Sequence, residues 1–179
     1  HNLKASKEQI LDDLKGFMSP LQRRMLKELL QHLDELNVHI ENLNDEIDNF
    51  MKPEEKQASQ VIQDVTGIGN TSAQTIVAVI GTDMERFPSD RHISSWAGLC
   101  PGDNISAKKR KGGKIRKGNA LLKSTLVLCA HAAVRHKSSY FHAQFKRIST
   151  HRGKKRAYVA VAHSILIAIY HILKDGVKY

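Results

Sequence analysis

One serine stands at the head of a basic run in "GDNISAKKRKGGKIRKGNALLK", residues 102–123. Ser106 is followed by Lys108, Lys109, Arg110 and Lys111, then by Gly112 and Gly113, then by Lys114, Arg116, Lys117 and Gly118. Eight Lys/Arg fall between Ser106 and Lys123. Two chemistries fit this spacing. A flexible cationic loop can grip phosphates, each neutralised contact adding about −0.9 to the log–log salt slope. Alternatively, the serine hydroxyl is a nucleophile, with the cations holding the scissile phosphate and offsetting charge in the transition state. The residues alone leave both open, and the phosphate-gripping loop is the simpler. Nucleotide hydrolysis is excluded at this loop, because Lys114 is followed by Ile115 where a Walker loop needs Ser or Thr.

A second stretch, "VIQDVTGIGNTSAQTIVAVIG" at 61–81, sets Gly67, Ile68, Gly69, Asn70 and Thr71 between two helical patterns. Two glycines permit a tight turn and let backbone N–H groups approach an anion, with the dipole of the following helix behind them. Ile68 plugs the space between the helices, and Ala73, Ile76, Val77 and Ile80 supply the buried face of the second. This pattern resembles a helix-hairpin-helix motif, which holds DNA backbone without reading sequence. The bland alternative is a glycine turn between two core helices. In the adjoining "FPSDRHISSWAGLCPGDN", Ser89 is expected to cap a short helix, and Trp96 is expected in the core rather than as a base-stacking platform.

These segments must be positioned by helices. Apolar spacing predicts helices over 54–64, 71–81, 89–97, 119–136, 138–149 and 154–174, with no alternating pattern of β type. An amphipathic helix is predicted over 3–18. Ser19 and Pro20 then open a longer one, in which Leu26, Leu29, Leu33, Leu36, Ile40, Leu43, Ile47 and Phe50 recur in steps of three and four. That heptad seam points to a coiled-coil arm over 1–52, followed by a compact helical domain over 53–179. The fold class is all-α.

Charge divides along the same line. Residues 1–60 hold 8 Lys/Arg against 12 Asp/Glu, and residues 61–179 hold 20 against 6, within a net charge of +10. An acidic arm precedes a basic body that calls for a polyanion. Cys100 and Cys129, the two cysteines, suggest a reducing cytosol rather than a disulfide framework. The apolar segment 157–173 is interrupted by His163, Ser164 and His171, and it reads as a core helix rather than a membrane span. Ten histidines form no recognisable ligand set, so no metal site is expected.

Taken in order, the hairpin, "ERFPS", "WAGLCPG", the serine, the basic glycine loop and "RGKKRAYVAVAHSILIAIYHILKDG" resemble the C-terminal transposase domain of the IS one-ten family of insertion sequences. The likeness covers residues 58–179, and the arm resembles the coiled-coil segment linking that family's two domains. The resemblance implies that Ser106 attacks the DNA backbone and forms a phosphoserine during strand cleavage and exchange. It also implies that Lys108, Lys109, Arg110, Lys111, Lys114, Arg116 and Lys117 contact nucleic acid. Magnesium is expected only through an acidic RuvC-like domain absent here, with no cofactor in this piece. The implied partners are DNA, a guide (bridge) RNA and further copies of the chain through the arm, in the bacterial cytoplasm and not at a membrane. This chain is expected to be inactive in recombination by itself. A non-catalytic DNA-binding and oligomerisation module is the alternative. Replacing Ser106 separates the two readings.

Overall fold

The computed structural model describes residues 6, 8, 9, 11, 12, 16, 18–100, 105, 106, 109, 110 and 117–179, with 105, 106, 109 and 110 described through their backbone. Most of the expected helix over 3–18 lies outside the described residues, as do Lys108, Lys111, Lys114 and Arg116. The chain divides into two compact units, His1–Asn49 and Phe50–Tyr179. The fold is all-α, as the apolar spacing predicts, with seven helices among the described residues.

Helix α1 runs from Pro20 to Phe50. It opens on a reciprocal cap: the Ser19 N–H donates to Gln22 Oε1 at 2.8 Å, and the Gln22 N–H donates to Ser19 Oγ at 3.2 Å. Proline in the first turn costs nothing, because its missing N–H would have no helical partner there. None of the 31 residues of α1 is buried. Its apolar seam, Leu26, Leu29, Leu33, Leu36, Ile40, Leu43 and Ile47, lies exposed along its length.

The second unit begins its helices with α2, Pro53–Ile62, where the Lys52 N–H donates to Glu55 Oε2 at 2.9 Å. A turn leads to α3, Asn70–Ile80, whose Ala73, Ile76, Val77 and Ile80 are buried as their spacing predicts. A 3-10 turn at Met84–Arg86 and the short α4, Asp90–Trp96, follow. The remainder is α5 (Ala120–Arg135), α6 (Tyr140–Arg152) and α7 (Lys154–Asp175). Asn119 caps α5 by accepting from the Leu122 N–H at 2.9 Å, and Ser139 caps α6 by accepting from the His142 N–H at 3.1 Å. Ser89 behaves differently from expectation. It occupies the N-cap position of α4, yet its hydroxyl pairs with His92 Nδ1 at 2.8 Å rather than with a backbone N–H.

Helix α7 is the centre of this unit and packs most extensively on α6 and α5. By length and composition it could cross a membrane, but here its Val161, Ala162, Ile165, Leu166 and Ile169 lie buried in the core. Each of the larger ones, Val161, Ile165, Leu166 and Ile169, contributes about 1.5–3 kcal/mol through removal from water. Near its C-terminal end the buried Tyr170 hydroxyl donates to the Phe87 carbonyl at 3.0 Å, and Lys174 Nζ donates to that hydroxyl at 2.7 Å. This ties α7 to the segment preceding α4.

One short element escaped the apolar pattern. Ile105–Ser106 (β1) and Lys109–Arg110 (β2) pair antiparallel, Ile105 opposite Arg110 and Ser106 opposite Lys109. Two rungs flanked by lysines and glycines carry no apolar alternation, which is why periodicity does not reveal them.

Candidate nucleic-acid interface

The basic segment leaves the body at α4 and returns at α5, and its two ends meet. A Cβ added at Gly118 would fall on the Gly98 N, the Gly98 Cα and, at 2.5 Å, the Ala97 carbonyl carbon. The Asn119 N–H also points to the Trp96 carbonyl at 3.4 Å. Backbone therefore lies directly on backbone where the loop closes, and only glycine at 118 fits. Beyond this closure the ribbon sets Ser106 opposite Lys109, with two residues between them in sequence. Lys117 is exposed beside the closure. Gly118→Ala is expected to open the loop's base and cost roughly 1–3 kcal/mol of stability, because the clashing atoms are main chain and cannot step aside. Thermal denaturation of the two proteins checks this.

Trp96 corrects the expectation of a core residue. It is 42% exposed, resting against Phe87 with ring centroids 5.5 Å apart and planes at 54°. The reason is the shortness of α4: Ile93, Ser94 and Ala97 take its inward face, and the indole is left at the rim. Its carbonyl holds the returning end of the loop, so its ring stands at the loop's root. Trp96 is the chain's single tryptophan. Nucleic acid that seats on the loop is expected to change its emission by tens of per cent, roughly the effect of altered solvent contact on a half-exposed indole. A fluorescence titration against duplex DNA reads this directly.

The two hairpin glycines turn out to do different things. Gly67 has φ 95° and is turned inward: a Cβ there would come within 2.5 Å of the Cys129 carbonyl oxygen, 2.6 Å of the Ala133 N and 2.7 Å of the Ala133 Cβ. Its lack of a side chain is explained by packing on α5. Gly69 has φ −100°, stands at the N-cap of α3 and has nothing within 4 Å of a would-be Cβ. Ile68 is buried between them, while Gly69, Asn70 and Thr71 are exposed. Of the hairpin residues, then, Gly69, Asn70 and Thr71 are exposed, Ile68 is buried in the core, and Gly67 is half-buried against α5.

Burial shifts two titratable groups of this scaffold. Burial pushes the Cys129 thiol above its usual range, against a smaller opposing hydrogen bond from Ser72. Burial pushes His163 below the ordinary histidine range, with Asp90 partly offsetting it. His171 Nδ1 pairs with Asp175 Oδ2 at 2.7 Å, both side chains half-exposed. Among the described residues no group of three or more His, Cys, Asp and Glu could hold a metal ion.

Of the predicted loop residues, the structure brings Ser106, Lys109 and Arg110 into one ribbon. Spacing did not point to the backbone closure at Gly98 and Gly118, although the glycines on each side of the run were its only trace. Nor did it single out the exposed cations where α6 meets α7.

Residues 59–146 match the family described as Transposase IS116/IS110/IS902. The chain is similar to the transposase for insertion sequence element IS1111A of Coxiella burnetii, at 30% identity over 124 residues, 67% of this chain and 34% of that protein. It is similar to the insertion element IS110 uncharacterized 43.6 kDa protein of Streptomyces coelicolor, at 28% over 130 residues, 70% of this chain and 31% of the relative. A putative transposase, y4pF/y4sB, of Sinorhizobium fredii shares 26% over 132 residues, 69% and 33% of the two chains. The chain thus spans about a third of the length of the curated relatives it matches.

Proposed function

Since this chain belongs to the Transposase IS116/IS110/IS902 family, we propose that it is the part of an insertion-sequence transposase that holds nucleic-acid backbone and supplies Ser106 as the nucleophile for DNA strand cleavage and exchange. The observation that carries this reading is the closure of the basic loop, with Gly118 against Gly98 and Ser106 opposite Lys109 in the ribbon. A nucleophile needs a fixed root and cations around the phosphate it attacks; the packing of Gly118 on Gly98 supplies the root, and the sequence of the loop supplies the cations.

In the step itself, the Ser106 oxygen forms a bond to phosphorus as one deoxyribose oxygen leaves. The serine proton passes to a base and the leaving oxygen gains a proton, giving a phosphoserine and a free strand end. Attack by a second strand's hydroxyl reverses the step and completes the exchange. Lys108, Lys109, Arg110, Lys111, Lys114, Arg116 and Lys117 neutralise phosphate charge along both strands. Gly69, Asn70 and Thr71 offer a second backbone contact at the N-terminus of α3. The described residues do not fit a magnesium ion, so no step is routed through one on this chain. Carboxylates for magnesium, a guide RNA and the cytoplasmic setting belong to the whole enzyme as the family likeness implies it. The exposed apolar seam of α1 suits pairing with further copies of the chain.

The test joins this chain to an acidic RuvC-like domain and incubates it with labelled target DNA, magnesium and guide RNA. A denaturation-resistant protein–DNA adduct that depends on Ser106 supports the reading. Equal DNA binding with no adduct from either protein would leave a non-catalytic binding module.

A further inference from the structure

The sequence carries no Asp or Glu between Asp103 and Asp175, while 17 of the body's 20 Lys/Arg fall in that interval. The basic loop accounts for only part of this excess. A second concentration lies where α6 turns into α7: Lys146, Arg147, Arg152, Lys154, Lys155 and Arg156, six cations in eleven residues, all exposed. Gly153 makes the corner with φ 80°, is exposed, and has nothing within 4 Å of a would-be Cβ. None of the six is in an ion pair with a carboxylate among the described residues.

The placement works against the fold. Lys154, Lys155 and Arg156 occupy the first turn of α7, where the helix dipole disfavours positive charge and acids are the stabilising choice. They also repel one another and Arg152. Cations at an electrostatic disadvantage on an open surface are relieved by an anionic partner, and their spread over two helices suits an extended one. A single small anion would not span both the last turns of α6 and the first turn of α7. The corner also stands apart from the root of the basic loop. Tyr158, one turn into α7, stacks on His131 with centroids 3.6 Å apart, and His131 lies eleven residues along α5 from its loop end at Ala120. At 1.5 Å per residue that is about 16 Å, roughly two screening lengths at physiological salt.

We propose that the α6–α7 corner is a second phosphodiester-binding surface, which grips nucleic-acid backbone independently of the basic loop. The inference rests on the nucleic-acid-binding reading above. It adds six residues that the loop and hairpin do not include. Because backbone contacts carry no sequence information, the surface positions a strand rather than selecting it.

The experiment compares this chain with a corner variant (Lys154→Gln, Lys155→Gln, Arg156→Gln) and a loop variant (Lys109→Gln, Lys114→Gln, Lys117→Gln). Affinities for a mixed-sequence DNA duplex and for an RNA hairpin are measured by anisotropy between about 50 and 200 mM salt. The corner variant is expected to lose about 2 to 3 from the log–log salt slope and roughly 10- to 100-fold in affinity at physiological salt. Its melting temperature should hold or rise, since like charges leave the positive end of a helix. A loss confined to the hairpin assigns the surface to RNA, and one confined to the duplex assigns it to DNA. The α6 set, Lys146→Gln, Arg147→Gln and Arg152→Gln, carries the same expectation away from the helix start. Wild-type slopes for both corner sets beside a weakened loop variant would overturn the second surface and leave the nucleic-acid reading standing. No binding of either probe by the unaltered chain would overturn both.

Discussion

Ser106→Ala is expected to abolish the covalent protein–DNA adduct of the assembled enzyme, a fall of about 10³-fold or more, while DNA affinity changes by no more than roughly twofold. The asymmetry follows from the chemistry. In the proposed step, bond formation to phosphorus requires the Ser106 oxygen, and alanine has no atom to replace it. Binding, by contrast, is spread over a run of cations in which one hydroxyl is a small contributor. The salt slope should therefore be the same for both proteins. Gel analysis after denaturation measures the adduct, and anisotropy measures the affinity. A variant that loses both together would mark Ser106 as a residue that shapes the loop rather than reacts.

Gly67→Ala has the largest expected effect on folding. Its Cβ would lie 2.5 Å from the Cys129 carbonyl oxygen and 2.6 Å from the Ala133 N, both main chain of a packed helix, and φ at this position is 95°. Overpacking and a left-handed alanine together cost about 3 kcal/mol or more, roughly 10 °C in melting temperature for a unit of this size. Gly69→Ala, two residues on, is the control. With open space around it and φ −100°, it should shift stability by less than about 1 kcal/mol. If the hairpin touches phosphate, this second variant weakens DNA binding without melting the fold. Scanning calorimetry and anisotropy on the two alanine variants separate the packing glycine from the surface one.

That pair also shows how much of the molecule is legible in its sequence. Helices come from periodicity: Ala73, Ile76, Val77 and Ile80 mark one buried stripe, and the structure has them inside. Caps such as Ser19 and Asn119 come from local chemistry and are found where residue type places them. Gly67 and Gly69 look alike in sequence, because the reason for each lies in what faces it. Only the approach of α5, some sixty residues downstream, distinguishes them. Trp96 departs from expectation for a related reason. Its size favours burial, but a seven-residue helix has room for only one inward face, and Ile93 and Ala97 fill it. The ribbon at Ser106 depends on backbone pairing among charged residues, and the corner at Gly153 depends on two helices meeting. Neither leaves an apolar trace.

The meeting of Gly118 with Gly98 has a consequence for how this molecule can change. Both ends of the basic segment are held by the body, so the residues between them form a closed excursion, and its length enters the free energy only logarithmically. Lengthening or shortening that excursion is expected to leave the seats of α4 and α5 where they are, because the contact of Gly118 with Gly98 lies at its base. The chemistry of the segment is thereby uncoupled from the architecture beneath it. It can be exchanged like a cartridge, one set of cations for another, in a body that does not need to refold around the replacement.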